Sequence, residues 1–337
     1  MKAAIYGAGS LGTVLGAYLS KAGVDIELVN RNVTHVQALN KYGARITGKT
    51  EITQKVTAIT PDQMKGPYDI FILMTKQSEN KTTAAFLKPL LCENGIICTA
   101  QNGLPEPLIS EIVGDNRVVG CVVVWGATLV SPGVANLTSD PDSMNFQIGC
   151  LPPGMDRQIQ AVKKLLEHMC PVAVEENFLG ARWSKLLINS AFSGLSVVFG
   201  LLFGEVSDNK YTRKIAQRVI KECIDVAKAA DIKLASVQGK SIEKLMYYRG
   251  PVKKMIAYNI IPAAISHHRN IRSGMLGDIE RGRKTEIDYI NGVICDYGKK
   301  YVCGTPFNNR IVEIVHDIEA KKHSPSLDNV RLFEDLL

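Results

Sequence analysis

Three glycines near the start of the chain have the spacing of a phosphate-binding turn. Residues Met1 to Gly12 read Met-Lys-Ala-Ala-Ile-Tyr-Gly-Ala-Gly-Ser-Leu-Gly, which sets Gly7, Gly9 and Gly12 in the pattern G-x-G-x-x-G. The first glycine of this pattern permits a tight strand-to-helix turn, and the second lets the backbone approach a pyrophosphate. The third lets the helix pack closely on the sheet. Phosphates would sit at the N-terminus of a helix starting near Ser10, where N–H groups and the helix dipole favour negative charge. Gly7, Ala8, Gly9, Ser10, Leu11 and Gly12 are therefore candidate dinucleotide-binding residues.

The residues after the second strand bear on which dinucleotide. A site for the unphosphorylated ribose usually places Asp or Glu there, about 20 residues past the glycines. This chain has Asn30-Arg31, while Asp25 and Glu27 come too early, at the start and middle of the strand. A carboxylate repels a 2′-phosphate, whereas Arg31 can grip one and stack on the adenine. NADP(H) is the cofactor these residues favour, against a bland reading of Arg31 as a solvated loop residue.

A second group lies in the C-terminal half. Lys185, Asn189, Ser193 and Ser196 stand at i, i+4, i+8 and i+11, and at 3.6 residues per turn they share one helix face. Their neighbours Leu186, Leu187, Ile188, Phe192, Leu195, Val197 and Val198 are apolar. Polar groups on an otherwise buried helix need partners or water. The stripe reads either as the lining of a cleft or as a contact with a neighbouring helix. A further polar run, Asp278 to Asn291, contains Thr285-Glu286 at the start of a helix whose apolar face includes Ile287, Ile290 and Ile294. The helix dipole alone favours a carboxylate there.

These groups need elements to position them. Ala3 to Tyr6 is an apolar run suited to a buried parallel strand. Leu11, Leu15 and Leu19 give helical spacing, Gly23 closes that helix, and Val24 to Val29 forms the second strand. Thr34 to Lys41 reads as a helix, and Ala44 to Thr60 as β-branched strands at one side of the sheet. Ile70 to Met74 and Gly95 to Thr99 are further strands, with a helix over Glu79 to Leu91. The two strands deliver Thr75-Lys76 and Gln101-Asn102-Gly103 to the edge where open α/β sheets bind ligands. Val118 to Thr138 suggests strands, antiparallel among themselves, and Asp156 to Met169 a helix. From about Asn177 long helical patterns take over, including Lys210 to Ala230 and Glu286 to Lys300, with Ser324 to Leu337 as a loosely attached tail. The expectation is an α/β Rossmann domain over residues 1–176 and an all-α domain over 177–337.

Composition fits a two-domain globular protein of 337 residues, with 46% hydrophobic and 22% charged. A net charge of +7 without long like-charge runs gives nucleic-acid binding little support, and suits anionic ligands. The eight cysteines form no C-x-x-C or metal-ligand pattern, and His267-His268 lacks the i,i+4 spacing of a helical metal site, so no metal is expected. Leu186 to Gly204 has the length of a membrane span, but Asn189, Ser190, Ser193 and Ser196 interrupt it, so a buried helix is expected and no membrane segment. With no signal peptide before the first strand, the expectation is reduced thiols and a cytoplasmic protein.

Taken together, these motifs resemble the ketopantoate reductase (2-dehydropantoate 2-reductase) family over nearly the whole chain. The matching strings are Gly7 to Gly12 with Arg31, Thr75-Lys76, Gln101-Asn102-Gly103, Arg182-Trp183-Ser184-Lys185-Leu186-Leu187-Ile188-Asn189, and Thr285-Glu286-Ile287-Asp288-Tyr289-Ile290-Asn291-Gly292. The resemblance implies a Rossmann domain, a helical domain of the 6-phosphogluconate-dehydrogenase-like type, and an active site in the cleft between them. It also implies roles: Lys185 as acid/base residue, Glu286 as the catalytic glutamate binding the substrate hydroxyl, and Asn189 and Ser193 as substrate-binding. Arg31 and Lys76 would contact the cofactor phosphate, and Asn102 would bind cofactor and help place the nicotinamide. The implied partner is a small 2-keto acid, with a homodimer as the candidate assembly.

Two positions depart from the family pattern. Ser193 stands where a second asparagine is usual, and Gly274, in Ser273-Gly274-Met275-Leu276, replaces a substrate-binding serine. Reduction of another bulky 2-keto acid is therefore an alternative to ketopantoate. A β-hydroxyacid dehydrogenase lacks the Thr-Glu-Ile-Asp-Tyr-Ile-Asn-Gly string, and a non-catalytic NADP(H)-binding sensor would not need Lys185, Asn189 and Glu286 together.

Overall fold

A computed structural model describes residues 1–236 and 239–337. Contacts divide the chain into two units, one of Met1–Gln101 with Pro105–Phe178 and one of Asn102–Leu104 with Leu179–Leu337. In the first unit the strands are β1 (Ala3–Tyr6), β2 (Ile26–Val29), β3 (Ala44–Gly48), β4 (Ile52–Gln54), β5 (Thr57–Ile59) and β6 (Tyr68–Leu73). They continue as β7 (Leu91–Thr99), β8 (Val118–Val123), β9 (Ala127–Ser131), β10 (Val134–Leu137), β11 (Phe146–Gly149) and β12 (Val172–Val174). Its helices are α1 (Ser10–Lys21), α2 (Val33–Tyr42), α3 (Asn80–Leu87), α4 (Glu106–Val113) and α5 (Asp156–Leu166).

The main sheet has eight strands in the order β12-β11-β8-β7-β6-β1-β2-β5. All pairings are parallel except β8 with β11, the doubly wound arrangement of a Rossmann-type sheet. Strands β1 and β8 are buried at every position, which explains their unbroken apolar sequences: both faces are covered by other elements. The two-residue period of a strand sorts its side chains between two cores. Ile5, Ile70, Ile72 and Cys98 join Leu15 and Leu19 of α1 on one face. Ala4, Tyr6, Phe71, Leu73 and Ile97 join Ala84 and Leu87 of α3 and Ile109 of α4 on the other.

One strand expectation is corrected. Of the run Ala44 to Thr60, only β5 joins the main sheet, as the edge beside β2. Strands β3 and β4 instead form a separate four-stranded sheet, β4-β3-β10-β9, because β3 pairs in parallel with the distant β10. Propensity marks these residues as strands but carries nothing about a partner so far along the chain.

The helices of the second unit are α6 (Phe178–Phe199, its first residue grouping with the first unit), α7 (Phe203–Asp208), α8 (Lys210–Ala229), α9 (Ile242–Met246), α10 (Pro251–Ala264), α11 (Gly274–Glu280), α12 (Ile287–Lys300) and α13 (Pro306–Glu319). Its core gathers Trp183, Leu187 and Leu195 of α6, Ile220 and Ile224 of α8, and Ile311 of α13. On α8 the buried Glu222 accepts the backbone N–H groups of Phe307 at 2.8 Å and Asn308 at 3.0 Å, capping the start of α13. Burial pushes its carboxyl upward, and these bonds oppose the shift. No helix among the described residues is long and apolar enough to cross a membrane.

The segment expected to be a loose tail is packed. Residues Leu327–Leu336 form consecutive tight 3₁₀ turns, and Phe333 is fully buried, stacked on Phe307 at a centroid distance of 6.3 Å. Asn329 donates to the Val198 carbonyl at 2.9 Å, and Arg310 pairs with Asp335. Its apolar residues Leu327, Val330, Phe333 and Leu336 recur every three positions, and only the fold shows the core that Val330, Phe333 and Leu336 pack against. Phe333→Ala should lower unfolding free energy by about 3–5 kcal/mol through lost burial and a cavity. Chemical denaturation of the pure protein measures this; a loss below about 1 kcal/mol would show that the segment lies outside the cooperative core.

Candidate active site

The glycine turn connects β1 to α1 at the C-terminal edge of the main sheet. Gly7 has φ of +97°, and a Cβ there would lie 2.7 Å from the Thr75 amide nitrogen, so backbone conformation and space both require glycine. At Gly12 a Cβ would meet Ile5 Cγ2 at 2.9 Å, so α1 packs directly against β1. Gly9 differs: its nearest obstacle would be the Gly7 carbonyl oxygen at 3.9 Å. Gly9 is also the N-cap of α1, and no side chain caps that helix. An open approach to a helix start with no competing side chain fits a pyrophosphate. Ala8, Ser10 and Leu11 lie within the same turn.

Side chains from α2 and its approach hold the turn in place. Asn30 donates to the Ala8 carbonyl at 2.8 Å and accepts from the Asn32 amide at 2.8 Å. His35, almost fully buried, accepts the Gly133 N–H at its Nδ1 at 3.0 Å. Its Nε2 must then carry the proton and donate to the Ala8 carbonyl at 3.0 Å. Burial pulls the His35 pKa below 6.5, partly offset by the Ala8 bond. Nothing in the sequence singles out His35; only the fold brings Gly133 against it.

Arg31 and Lys76 follow β2 and β6, the strands on either side of β1. Arg31 makes an ion pair with Glu79, whose two carboxylate oxygens each lie 2.6 Å from Nη2. The carboxylate raises the Arg31 pKa further. Glu27 is engaged elsewhere, accepting from the Tyr68 hydroxyl and lying 3.8 Å from Lys2 Nζ. The Thr75-Lys76 segment is braced by a buried amide pair. Gln101 donates to the Thr75 carbonyl and to Asn80 Oδ1, both at 2.7 Å, and accepts from Asn80 Nδ2 at 3.0 Å. The sequence placed Gln101 at the ligand edge but did not reveal this bracing role.

In the second unit, α6 is gripped from several sides. Trp183 Nε1 donates to the Cys223 carbonyl on α8 at 3.1 Å, and Ser184 to the Ala235 carbonyl at 2.8 Å. Asn291 on α12 donates to the Ser190 carbonyl at 3.1 Å, and a Cβ at Gly194 would lie 2.6 Å from its Oδ1. Between Ala181 and Phe199 the helix is buried except at Lys185, Ile188, Asn189 and Ser193, which are half-buried along one strip. Ser196 does not belong to that strip. It is fully buried and donates to the Leu201 carbonyl, closing the end of α6.

Glu286 is half-buried at the N-cap of α12, but its carboxylate caps no backbone N–H. That task falls to Thr285, whose Oγ1 accepts from Ile287 N at 3.2 Å and donates to Glu319 Oε1 at 2.7 Å. Asn291, five residues beyond Glu286, therefore ties this helix to α6 beside Asn189. Gly274 opens α11, where Ser273 Oγ accepts from the Met275 N–H, and nothing lies within 4 Å of a Cβ built at Gly274. Asn102 groups with this unit in the turn Asn102–Leu104. Among the described residues no cluster of His, Cys, Asp and Glu could hold a metal ion; the side chain of His267 lies outside them. None of the eight cysteines is in a disulfide, and burial pushes Cys150, Cys170 and Cys295 up to about 12.

A Rossmann-type sheet with its glycine turn, accompanied by a helical unit, is the fold of a class of nicotinamide-dependent oxidoreductases acting on CH–OH groups. The chain belongs to the ketopantoate reductase family: the pattern of ketopantoate reductase PanE/ApbA matches residues 3–152, and that of its C-terminal domain residues 177–319. It is 30% identical over 310 residues to a 2-dehydropantoate 2-reductase of Pyrococcus horikoshii, covering 91% of this chain and 94% of that protein. A family member from Ralstonia eutropha superposes with a TM-score of 0.79 at 25% identity, covering 96% of this chain and 100% of that one. D-mandelate dehydrogenase with NADH and anilino(oxo)acetate superposes with a TM-score of 0.82 at 23% identity, covering 95% and 99%.

Because folded His35 resists protonation, the unfolded chain binds the extra proton first, below about pH 6.5. The His35 contribution to stability is thus complete above that pH and is lost as pH falls below it, by at most about 1.4 kcal/mol per pH unit. Unfolding curves between pH 7.5 and 5 should show this acid-side loss in the wild type. His35→Gln should be less stable at neutral pH and lack that part of the slope.

Proposed function

We propose that this chain reduces ketopantoate to pantoate with NADPH, with Lys185 as general acid. The observation that carries the reading is the strip on α6: on a helix otherwise buried, Lys185, Asn189 and Ser193 are the polar side chains left accessible. Burying a lysine beside apolar side chains is costly, so an accessible lysine held at a fixed place by Trp183, Ser184 and Asn291 suits a ligand-facing role.

The division of labour follows from the chemistry. The glycine turn and the start of α1 take the pyrophosphate, and Arg31 and Lys76 take the 2′-phosphate, with Asn102 helping to place the nicotinamide. When bound, the reduced nicotinamide supplies a hydride. Negative charge then develops on the substrate's carbonyl oxygen, and the Lys185 ammonium stabilises it and passes a proton to it. Asn189 and Ser193 donate hydrogen bonds to the keto acid. Glu286, relieved of capping α12 by Thr285, accepts a hydrogen bond from the substrate hydroxyl. Lys185→Ala should lower kcat by about 10²–10⁴-fold while leaving the dissociation constant for NADPH unchanged. Steady-state kinetics with a parallel binding titration measure both. Unchanged turnover would remove Lys185 from the mechanism, whereas NADPH binding without turnover in the wild type would favour a binding protein.

Gly274 favours a second reading, reduction of a bulkier 2-keto acid. It offers no side chain, its surroundings are open, and the Ser273 hydroxyl is engaged in capping α11. Gly274→Ser should fold with an unchanged melting temperature and raise kcat/KM for ketopantoate by up to about tenfold, the worth of one restored hydrogen bond. Wild-type protein assayed with a panel of 2-keto acids separates the readings. Turnover of ketopantoate supports the first, and turnover only of a larger keto acid supports the second.

A further inference from the structure

An acidic residue does meet Arg31, though not from the strand where the sequence pattern looks for one. Glu79 follows β6 at the junction with α3, and Arg31 follows β2, with β1 lying between those strands. Their ion pair therefore bridges the C-terminal end of β1, where the glycine turn begins. Glu79 is locally fixed: its amide donates to the Lys76 carbonyl at 3.3 Å, and its carbonyl accepts from Thr82 Oγ1 at 3.0 Å. Its neighbour Asn80 is locked in the buried amide pair with Gln101.

We propose that Glu79 sets the cofactor selectivity of this chain by competing with the 2′-phosphate for Arg31, so that NADPH is preferred over NADH less strongly than Arg31 and Lys76 alone would give. The inference rests on reading the first unit as a nicotinamide-dinucleotide site. Both carboxylate oxygens lie on one Arg31 nitrogen, Nη2, so the carboxylate already balances the guanidinium charge and holds one of the nitrogens a phosphate would use. A phosphate monoester carries between one and two negative charges at neutral pH, so its arrival displaces Glu79 and leaves two anions close together. A ribose 2′-hydroxyl imposes no such conflict, since a carboxylate accepts its hydrogen, the role an acid at the end of β2 plays in sites for the unphosphorylated cofactor. The pair is too exposed to matter much for folding, with side-chain exposures of 68% and 37%, so its removal leaves the scaffold intact.

The test is fluorescence titration of NADPH and NADH onto the wild type, Glu79→Gln and the double variant Arg31→Gln/Glu79→Gln. Glu79→Gln should tighten NADPH by roughly three- to tenfold, leave NADH equal or weaker, and lose its effect as salt is raised. The gain should vanish in the double variant, because it acts through Arg31. An unchanged ratio of the two dissociation constants in Glu79→Gln, with both dinucleotides still binding, would overturn the inference and leave the proposed reductase standing. Failure of the wild type to bind either dinucleotide would overturn both.

Discussion

Helix α6 presents a fixed polar strip only because almost all of it is buried. Trp183 and Arg182 are nearly inaccessible, the Ser184 hydroxyl is tied to Ala235, and Asn291 binds the Ser190 carbonyl from α12. A helix held on so many sides cannot rotate, so its accessible residues keep a fixed direction. Lys185, Asn189 and Ser193 occupy the strip that the other helices leave uncovered. In the proposed reaction, preorganisation of this kind would spare the donor from being ordered when charge develops.

The same principle operates in the first unit by different means. There the proposed ligand-facing group is backbone, and backbone is oriented by close approach rather than by side-chain packing. Gly7 and Gly12 let β1, α1 and the Thr75 amide come together, while Asn30 and His35 hold the Ala8 carbonyl from beneath. His35 links this turn to Gly133, so the smaller sheet contributes to the geometry of the turn as well as to the core. Gln101 and Asn80 do the equivalent for the loop bearing Lys76.

Much of this was legible in the sequence, and the reasons are local. The turn from Gly7 to Gly12, the strand Ala3–Tyr6 and the helix that follows depend on residues a few positions apart, so spacing reveals them. The i, i+4, i+8 strip on α6 is legible for the same reason, but its end is not. Ser196 fits the period and yet turns inward to the Leu201 carbonyl, because the chain reverses at Gly200. The pairing of β3 with β10, the burial of Phe333 and the role of His35 depend on partners far along the chain, and no local pattern records them.

The sequence by itself determined the family, the order of the two units, the glycine turn and the polar strip, since each rests on residue type and short-range period. Tertiary structure alone decided which groups meet. Arg31 reads from sequence as a lone cation after β2, and only the strand order β6-β1-β2 brings Glu79 to it. Glu286 reads from sequence as an acid that the helix dipole alone could explain, and only the fold shows that the Thr285 hydroxyl, braced by Glu319, accepts the Ile287 N–H at the start of α12. The physical reason is common to both: charge and hydrogen-bond capacity are properties of a residue, whereas the partner that consumes them is a property of the fold.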